Sequence, residues 1–191
     1  MPSHLIAATR FLHNRWDGGT TTELLIGPQG STLAARDFDV RISCARVEQS
    51  GAFSDFSGYQ RLLLILNGEL TITHRGEIFC LSAAHEGWHF DGGDKVHAEL
   101  HSPYVDDFNL FVRPGVMKTA HGMALFSGQN WQQAADPDAK TYGVLLIQGS
   151  VRIDDTQLDE HHPLMISSSP LTVDAETDAR LVVFAFGSVV T

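Results

Sequence analysis

The sequence predicts an all-β protein made of two related β-barrels, and three observations carry that reading. Apolar segments are short, rich in Val, Ile, Leu, Phe and Thr, and bounded by Gly, Pro, Asp and Ser, the pattern of strands separated by turns. Helical periodicity is scarce, and only Asn130–Ala135 is assigned to a short helix. An internal repeat aligns LLLILNGELTI (Leu62–Ile72) with GVLLIQGSVRI (Gly143–Ile153), three identities in eleven positions. Each copy holds an apolar strand, an amide-Gly turn and a second strand. Each leads on to a later strand, VHAEL in the first and RLVVFAF in the second. Self-similarity of this kind marks a repeated architecture.

The elements follow in order. Gly18-Gly19 make a tight turn into Thr20–Ile26, whose Thr residues fit an exposed edge strand. Phe38–Val47 lies within DFDVRISCARV, which places Arg41, Ser43 and Ala45 on one face and Val40, Ile42 and Cys44 on the other. Gln60–Leu66 is the most apolar strand; it turns at Asn67-Gly68 into Glu69–His74. Ile78–Leu81 and Gly87–Phe90 come next, and Phe53, Phe56, Tyr59, Trp88 and Phe90 read as core and rim. In Lys95–Leu100 the apolar face is Val96, Ala98 and Leu100, so His97, Glu99 and the neighbouring His101 face solvent. Asp107–Val112 sets Asp107, Asn109 and Phe111 opposite Phe108, Leu110 and Val112. The polar stretch Gln129–Lys140, with its Asp-Pro-Asp turn, falls between the repeated cores. The second set of strands is Gly122–Ser127, Tyr142–Ile147, Ser150–Ile153, Pro163–Ser167, Leu171–Val173 and Arg180–Gly187.

Composition narrows the function. The 191 residues are 43% apolar, enough for a sizeable core. A formal charge of -10 argues against nucleic acid, which needs a basic face, and against anionic membrane surfaces. No apolar run approaches the ~20 residues of a membrane span, and the N-terminal segment lacks the pattern of a signal peptide. Cys44 and Cys80 sit in apolar runs and read as buried thiols of a reducing, cytoplasmic compartment.

The chemistry centres on arginines in apolar strands. A buried guanidinium is costly unless a carboxylate or several acceptors meet it, and its planar fork suits a carboxylate. For Arg41 and Arg61 that carboxylate is either internal, with Glu23 and Asp107 as candidates, or a ligand's. The ten His residues raise the question of metal. His97, Glu99 and His101 share a face, yet same-face neighbours on one strand stand ~7 Å apart and meet a single ion poorly. His85 and His89 form a second weak set, and His161-His162 read as a solvated turn. No Gly-x-Ser-x-Gly nucleophile motif is present.

Trp16 with GGTTTEL, then DFDVRIS, GAFSDFSGYQR, HFDGG and DDFN, resembles the HutD/Ves family in content and order. The match covers most of residues 15–113. It departs where many members carry Trp-x-Asn-Gly-Gly-Gly and this chain has Asp17-Gly18-Gly19. The resemblance implies two cupin-like (jelly-roll) β-barrels packed in one compact chain, a bicupin. The barrels are expected over residues 1–113 and 114–191, the second degenerate, with strands exchanged between them as one option. Metal-binding cupins place two His and then a Glu before the apolar strand, the Glu seven residues ahead of the closing Gly. Here that position is Arg61. Carried over by motif, the ligand-binding residues are Glu23, Arg41, Ser43, Arg61, Asp107 and Asn109, with no metal ligand, no cofactor and no catalytic residue assigned.

The expected function is metal-independent, non-catalytic binding of a small carboxylate metabolite of the N-formylglutamate or urocanate type, linked to histidine utilisation. The alternatives are a cupin enzyme and an interaction module with a structural polar interior. The enzyme would be a metal-dependent oxygenase using His85, His97 or His101, or a metal-free isomerase with Asp107 or Glu23 as base. The expected partner is a small acid, with no nucleic acid and no membrane. An open sheet edge leaves room for a homodimer.

Overall fold

The computed structural model describes residues 3–188. β1 (His4–Ile6) is followed by a single 3-10 turn, Ala8–Arg10. Then come β2 (Leu12–Trp16), β3 (Gly19–Gly27), β4 (Val40–Val47), β5 (Gly51–Ala52), β6 (Gln60–Asn67), β7 (Glu69–His74), β8 (Glu77–Ser82), β9 (Trp88–Asp91), β10 (Val96–Leu100) and β11 (Val105–Val112). The chain continues with β12 (Lys118–Leu125), β13 (Asn130–Gln132), β14 (Thr141–Gln148), β15 (Val151–Ile153), β16 (Thr156–Leu158), β17 (Leu164–Ser167), β18 (Thr172–Ala175) and β19 (Ala179–Phe186). The protein is therefore all-β. Among the described residues no helix is long and apolar enough to cross a membrane.

Two compact units result. One runs from Leu12 to Val116; the other takes Met117 onward together with the N-terminal segment that ends at Phe11. Each contains two open antiparallel sheets. In the first unit the strand orders are β2-β3-β4-β11-β6-β9 and β5-β10-β7-β8. In the second they are β1-β17-β14-β19-β12 and β13-β18-β15-β16. Both sheets of the first unit feed one core, with Leu63 and Ile65 of β6, Leu70 and Ile72 of β7, Phe90 of β9 and Val96 and Ala98 of β10. The second unit does likewise with Val144, Leu146, Val151, Ile153, Val173, Leu181 and Val183. Burial of apolar area on this scale, at about 25 cal/mol per Å², is the main force holding each unit together.

The internal repeat is a structural one. β6-turn-β7 matches β14-turn-β15, with Gly68 (φ 85°) and Gly149 (φ 88°) at the turns. A Cβ would lie 2.7 Å from the Tyr104 carbonyl oxygen at Gly68 and 2.3 Å from that of Asp178 at Gly149. Both the left-handed backbone and the close approach demand glycine. Each copy also shifts register just before its glycine, at Leu66 against β11 and at Ile147 against β19. Counting through this shared register, Asp107 corresponds to Leu181 and Asn109 to Val183. Arg61, seven residues before its glycine, corresponds to Tyr142.

Three expectations are corrected. Asn130–Ala135 is not a helix: Asn130–Gln132 forms β13 against β18, and the Asn130 amide donates to Asp174 (2.6 Å). A six-residue helix without an apolar face cannot offset its nucleation cost, so pairing with a waiting sheet edge wins. Cys80 is exposed. It lies on the outer face of edge strand β8, where Phe79 and Leu81 turn inward and Ile78 and Cys80 outward. Thr20–Ile26 is not an edge strand, because β2 lies outside β3. Its threonines fasten that neighbour: Trp16 Nε1 donates to Thr21 Oγ1 (3.2 Å), and His13 meets Thr22 (3.0 Å).

Candidate functional site

The six-stranded sheet of the first unit places its polar residues in two cross-strand rows. One row reads Arg41–Phe111–Arg61–Phe90 across β4, β11, β6 and β9. The other reads Glu23–Ser43–Asn109–Leu63 across β3, β4, β11 and β6. Asp107 follows Asn109 on the same face, as strand alternation requires. On the opposite face Val40, Ile42, Leu62, Leu64, Phe108 and Leu110 are all buried. The polar face lines a cavity of about 410 Å³, together with Trp16, Phe53, Phe56 and Ala98. Of the six residues expected from the sequence, Arg41, Ser43, Arg61, Asp107 and Asn109 line this cavity. Glu23 does not; it stands behind Arg41 and holds it.

The two arginines differ in how their charge is met. Arg41 donates Nε–H to Glu23 Oε2 at 2.7 Å and Nη1–H to Ser43 Oγ at 3.1 Å. Both members of the ion pair are buried, so the internal-bridge reading describes Arg41. Arg61 is only 7% exposed and has no such bridge. Its Nη2–H donates to Asn109 Oδ1 at 3.0 Å, and its Nε has no hydrogen-bond partner. Among the described residues no carboxylate oxygen lies within 4.0 Å of its guanidinium. Four rings surround it instead. The guanidinium carbon stands 4.6 Å from the ring centres of Phe90 and Phe111, 5.1 Å from Phe53 and 5.6 Å from Phe56. Desolvated cation–π contacts of this type contribute about 2 kcal/mol. Burial pulls the Arg61 group down to about 10, which still leaves it cationic at neutral pH.

Asp107 completes the cluster. It accepts from Asn109 Nδ2 at 2.6 Å. Asn109 thus joins Asp107 to Arg61, amide nitrogen toward one and carbonyl toward the other. Burial pushes the Asp107 carboxyl up to about 7, against the opposing pull of the Arg61 charge. The free carboxyl is about 3.9. In the folded chain Asp107 therefore keeps a proton that the unfolded chain has lost, so its contribution to stability falls as pH rises from about 4 to about 7. Asp107→Asn is expected to remove this fall. Urea denaturation at about pH 5 and pH 8 checks it: the variant should gain on the native protein at the higher pH, and an equal difference at both refutes the assignment.

A family model described as HutD matches residues 8–183. The chain belongs to the HutD family. A curated relative from Pseudomonas putida, described as an uncharacterized 21.2 kDa protein in the hutC 3′ region, is 31% identical over 112 residues. That match spans 58% of this chain and 58% of the relative's length. Among solved structures, a conserved protein of unknown function from Pseudomonas aeruginosa PAO1 superposes with a TM-score of 0.79 at 21% identity, covering 98% of this chain and 100% of that one. HutD from Pseudomonas fluorescens SBW25, solved in a formate condition, gives 0.72 at 23% identity over 97% and 99%. The nickel(II) complex of the Escherichia coli pirin YhhW gives 0.71 at 10% identity over 96% and 98%.

The HutD motifs now have locations. Phe53 and Phe56 of GAFSDFSGYQR pack over Arg61. HFDGG supplies the floor beneath them. The Phe56 N–H donates to the Gly92 carbonyl and the Gly92 N–H to that of Tyr59, both at 2.8 Å. A Cβ on Gly92 would stand 2.4 Å from the Phe56 carbonyl oxygen. No side chain fits there, so this glycine sets how closely the Phe56 segment lies on the cavity. Sequence reasoning missed that role, because a Gly-Gly pair signals a turn and not the backbone pressed against it. It also missed β2, which brings Trp16 to the cavity wall.

The pirin comparison raises the question of a metal. Among the described residues no three His, Cys, Asp or Glu side chains converge as a metal site requires. His85, His97 and His101 are exposed, and the cavity wall presents three arginines, Arg15, Arg41 and Arg61. These residues do not fit a metal ion.

Proposed function

We propose that this HutD-family chain is a metal-independent binding protein for a small carboxylate metabolite of the N-formylglutamate or urocanate type, acting as a regulator within histidine utilisation. One observation carries the reading: Arg61 is a buried cation with no carboxylate oxygen within 4.0 Å among the described residues, and it lines a cavity of about 410 Å³. Such a position reverses the electrostatics of a metal site and favours an anion. A bound carboxylate would take the guanidinium fork, with Ser43 and Asn109 completing its hydrogen bonds. The family's association with histidine utilisation supplies the candidate acids. We read each unit as a cupin-like jelly roll, with the ligand held in the first and the second lacking the polar cluster.

Thermal-shift and calorimetric titration with N-formyl-L-glutamate and with urocanate tests the proposal. The expected result is stabilisation by at least one acid, and a loss of affinity of about 100-fold or more in Arg61→Ala. Silence of the native protein toward both acids at millimolar concentration would overturn it. A second reading has one observation in its favour, an Asp107 carboxyl that titrates near neutrality beside the cavity. It makes Asp107 a general base for a metal-free isomerisation. Incubating each acid with the protein in deuterated water separates the two: exchange of a ligand C–H for deuterium, seen by NMR, favours catalysis.

A further inference from the structure

The cavity holds a second acid-base element that binding alone does not require. Asp107 is buried at its wall, yet among the described residues no cationic nitrogen lies within 4.0 Å of its carboxyl. The Asn109 side chain occupies the line between Asp107 and Arg61 and bonds to both. A carboxylate seated on Arg61 would therefore share one cavity with the buried Asp107 carboxyl. Two like charges in one such site resist simultaneous ionisation.

The surroundings of Asp107 are accounted for strand by strand. β6 contributes Arg61. β4 contributes Arg41, whose charge is taken by Glu23 of β3, while Cys44 lies on the opposite face of β4 by alternation. On β11 itself, Asp106 is engaged by Arg46 at 2.8 Å and 3.0 Å and raises the Asp107 carboxyl further. From the second sheet, β10 presents Ala98 to the cavity and keeps His97 and Glu99 exposed. Arg15 of β2 lines the cavity and is exposed. Among the described residues Arg61 of β6 thus has no carboxylate oxygen within 4.0 Å, and a bound anion would claim it.

We propose that anion binding in this cavity is coupled to proton uptake: Asp107 enters the complex as the neutral acid and donates its O–H to the bound carboxylate. The proton comes from the buffer, and no other bond is made or broken. The inference rests on the binding reading above. Its consequence is a binder that responds to pH as well as to ligand concentration. The sign is fixed by the linkage. Below about pH 6 Asp107 already carries the proton, so affinity is level; above about pH 7 each pH unit costs about tenfold in affinity.

Calorimetric titration of N-formyl-L-glutamate at about pH 8, in phosphate and separately in Tris, counts the protons. The expected result is a difference in heat between the two buffers corresponding to uptake of about one proton, with affinity falling about tenfold per pH unit. Asp107→Asn, which keeps the neutral shape, should bind with heats independent of buffer and an affinity independent of pH. Equal heats in both buffers for the native protein, or a buffer dependence that survives in Asp107→Asn, would overturn the proposal while leaving the binding reading intact. Absence of any binding heat overturns the binding reading itself. Should the variant not fold, the carboxyl carbon NMR shift of Asp107 in the liganded native protein decides: a protonated position at about pH 8 supports the coupling and an ionised one refutes it.

Discussion

Arg61→Met should melt at a higher temperature than the native chain while losing the ligand. The native arginine is desolvated, and among the described residues no carboxylate oxygen lies within 4.0 Å of it and its Nε has no partner. The Asn109 carbonyl, four phenylalanine rings and the electrostatic pull of Asp107 offset that cost in part. A methionine of similar length would keep the ring contacts and remove the buried charge. Replacements of buried charges by apolar side chains are neutral or stabilising by about 1–4 kcal/mol, and in a chain of this size each kcal/mol moves the melting temperature by about 2–4 °C. Differential scanning calorimetry of both proteins checks the gain, and titration with N-formyl-L-glutamate checks the loss of binding. A variant that melts lower by several degrees would show that Arg61 is scaffold, and the proposed function would fall with it.

Glu23→Ala should move stability the other way, by about 3–5 kcal/mol. Here the charge is internal and paired: Arg41 is 3% exposed and Glu23 7%, with 2.7 Å between Nε and Oε2. Removing the carboxylate strands the guanidinium in the wall, where Ser43 Oγ alone accepts from it. Urea denaturation measures the loss. The double variant Glu23→Ala, Arg41→Met should recover most of it, because it withdraws both charges. A loss below about 1 kcal/mol in the single variant would mean that Arg41 has found another acceptor. The two arginines, alike in sequence context, are thus expected to respond with opposite signs.

That difference was beyond the sequence. Alternation in DFDVRISCARV and VDDFNLFV is enough to put Arg41, Ser43, Asp107 and Asn109 on one face, because a strand turns every second side chain the same way. It cannot say which carboxylate meets which arginine. The answer depends on a register shift in β3 between Glu23 and Leu25, which sets Glu23 opposite Ser43 and Ile26 opposite Arg41. Glu23 then stands diagonal to Arg41, within reach of a long side chain. A bulge of this kind has no compositional signature in ELLIG. The strands with two apolar faces or clean alternation, such as β6, β11 and β14, were legible for the same reason that they are buried. β2 was not, since all five of its residues are exposed and leave no pattern to read. β5 has two residues, too few for any periodicity.

The repeated register shift at Leu66 and Ile147 has a consequence for stoichiometry. Both units carry the same strand-glycine-strand frame, yet the positions matching Asp107 and Asn109 are Leu181 and Val183, which belong to an apolar core. The polar cluster of the first unit is therefore not repeated at the matching positions of the second. One copy carries buried polar and charged groups at these positions, while its counterpart carries apolar ones. The binding reading accordingly expects a calorimetric stoichiometry of one ligand per chain, held in the first unit.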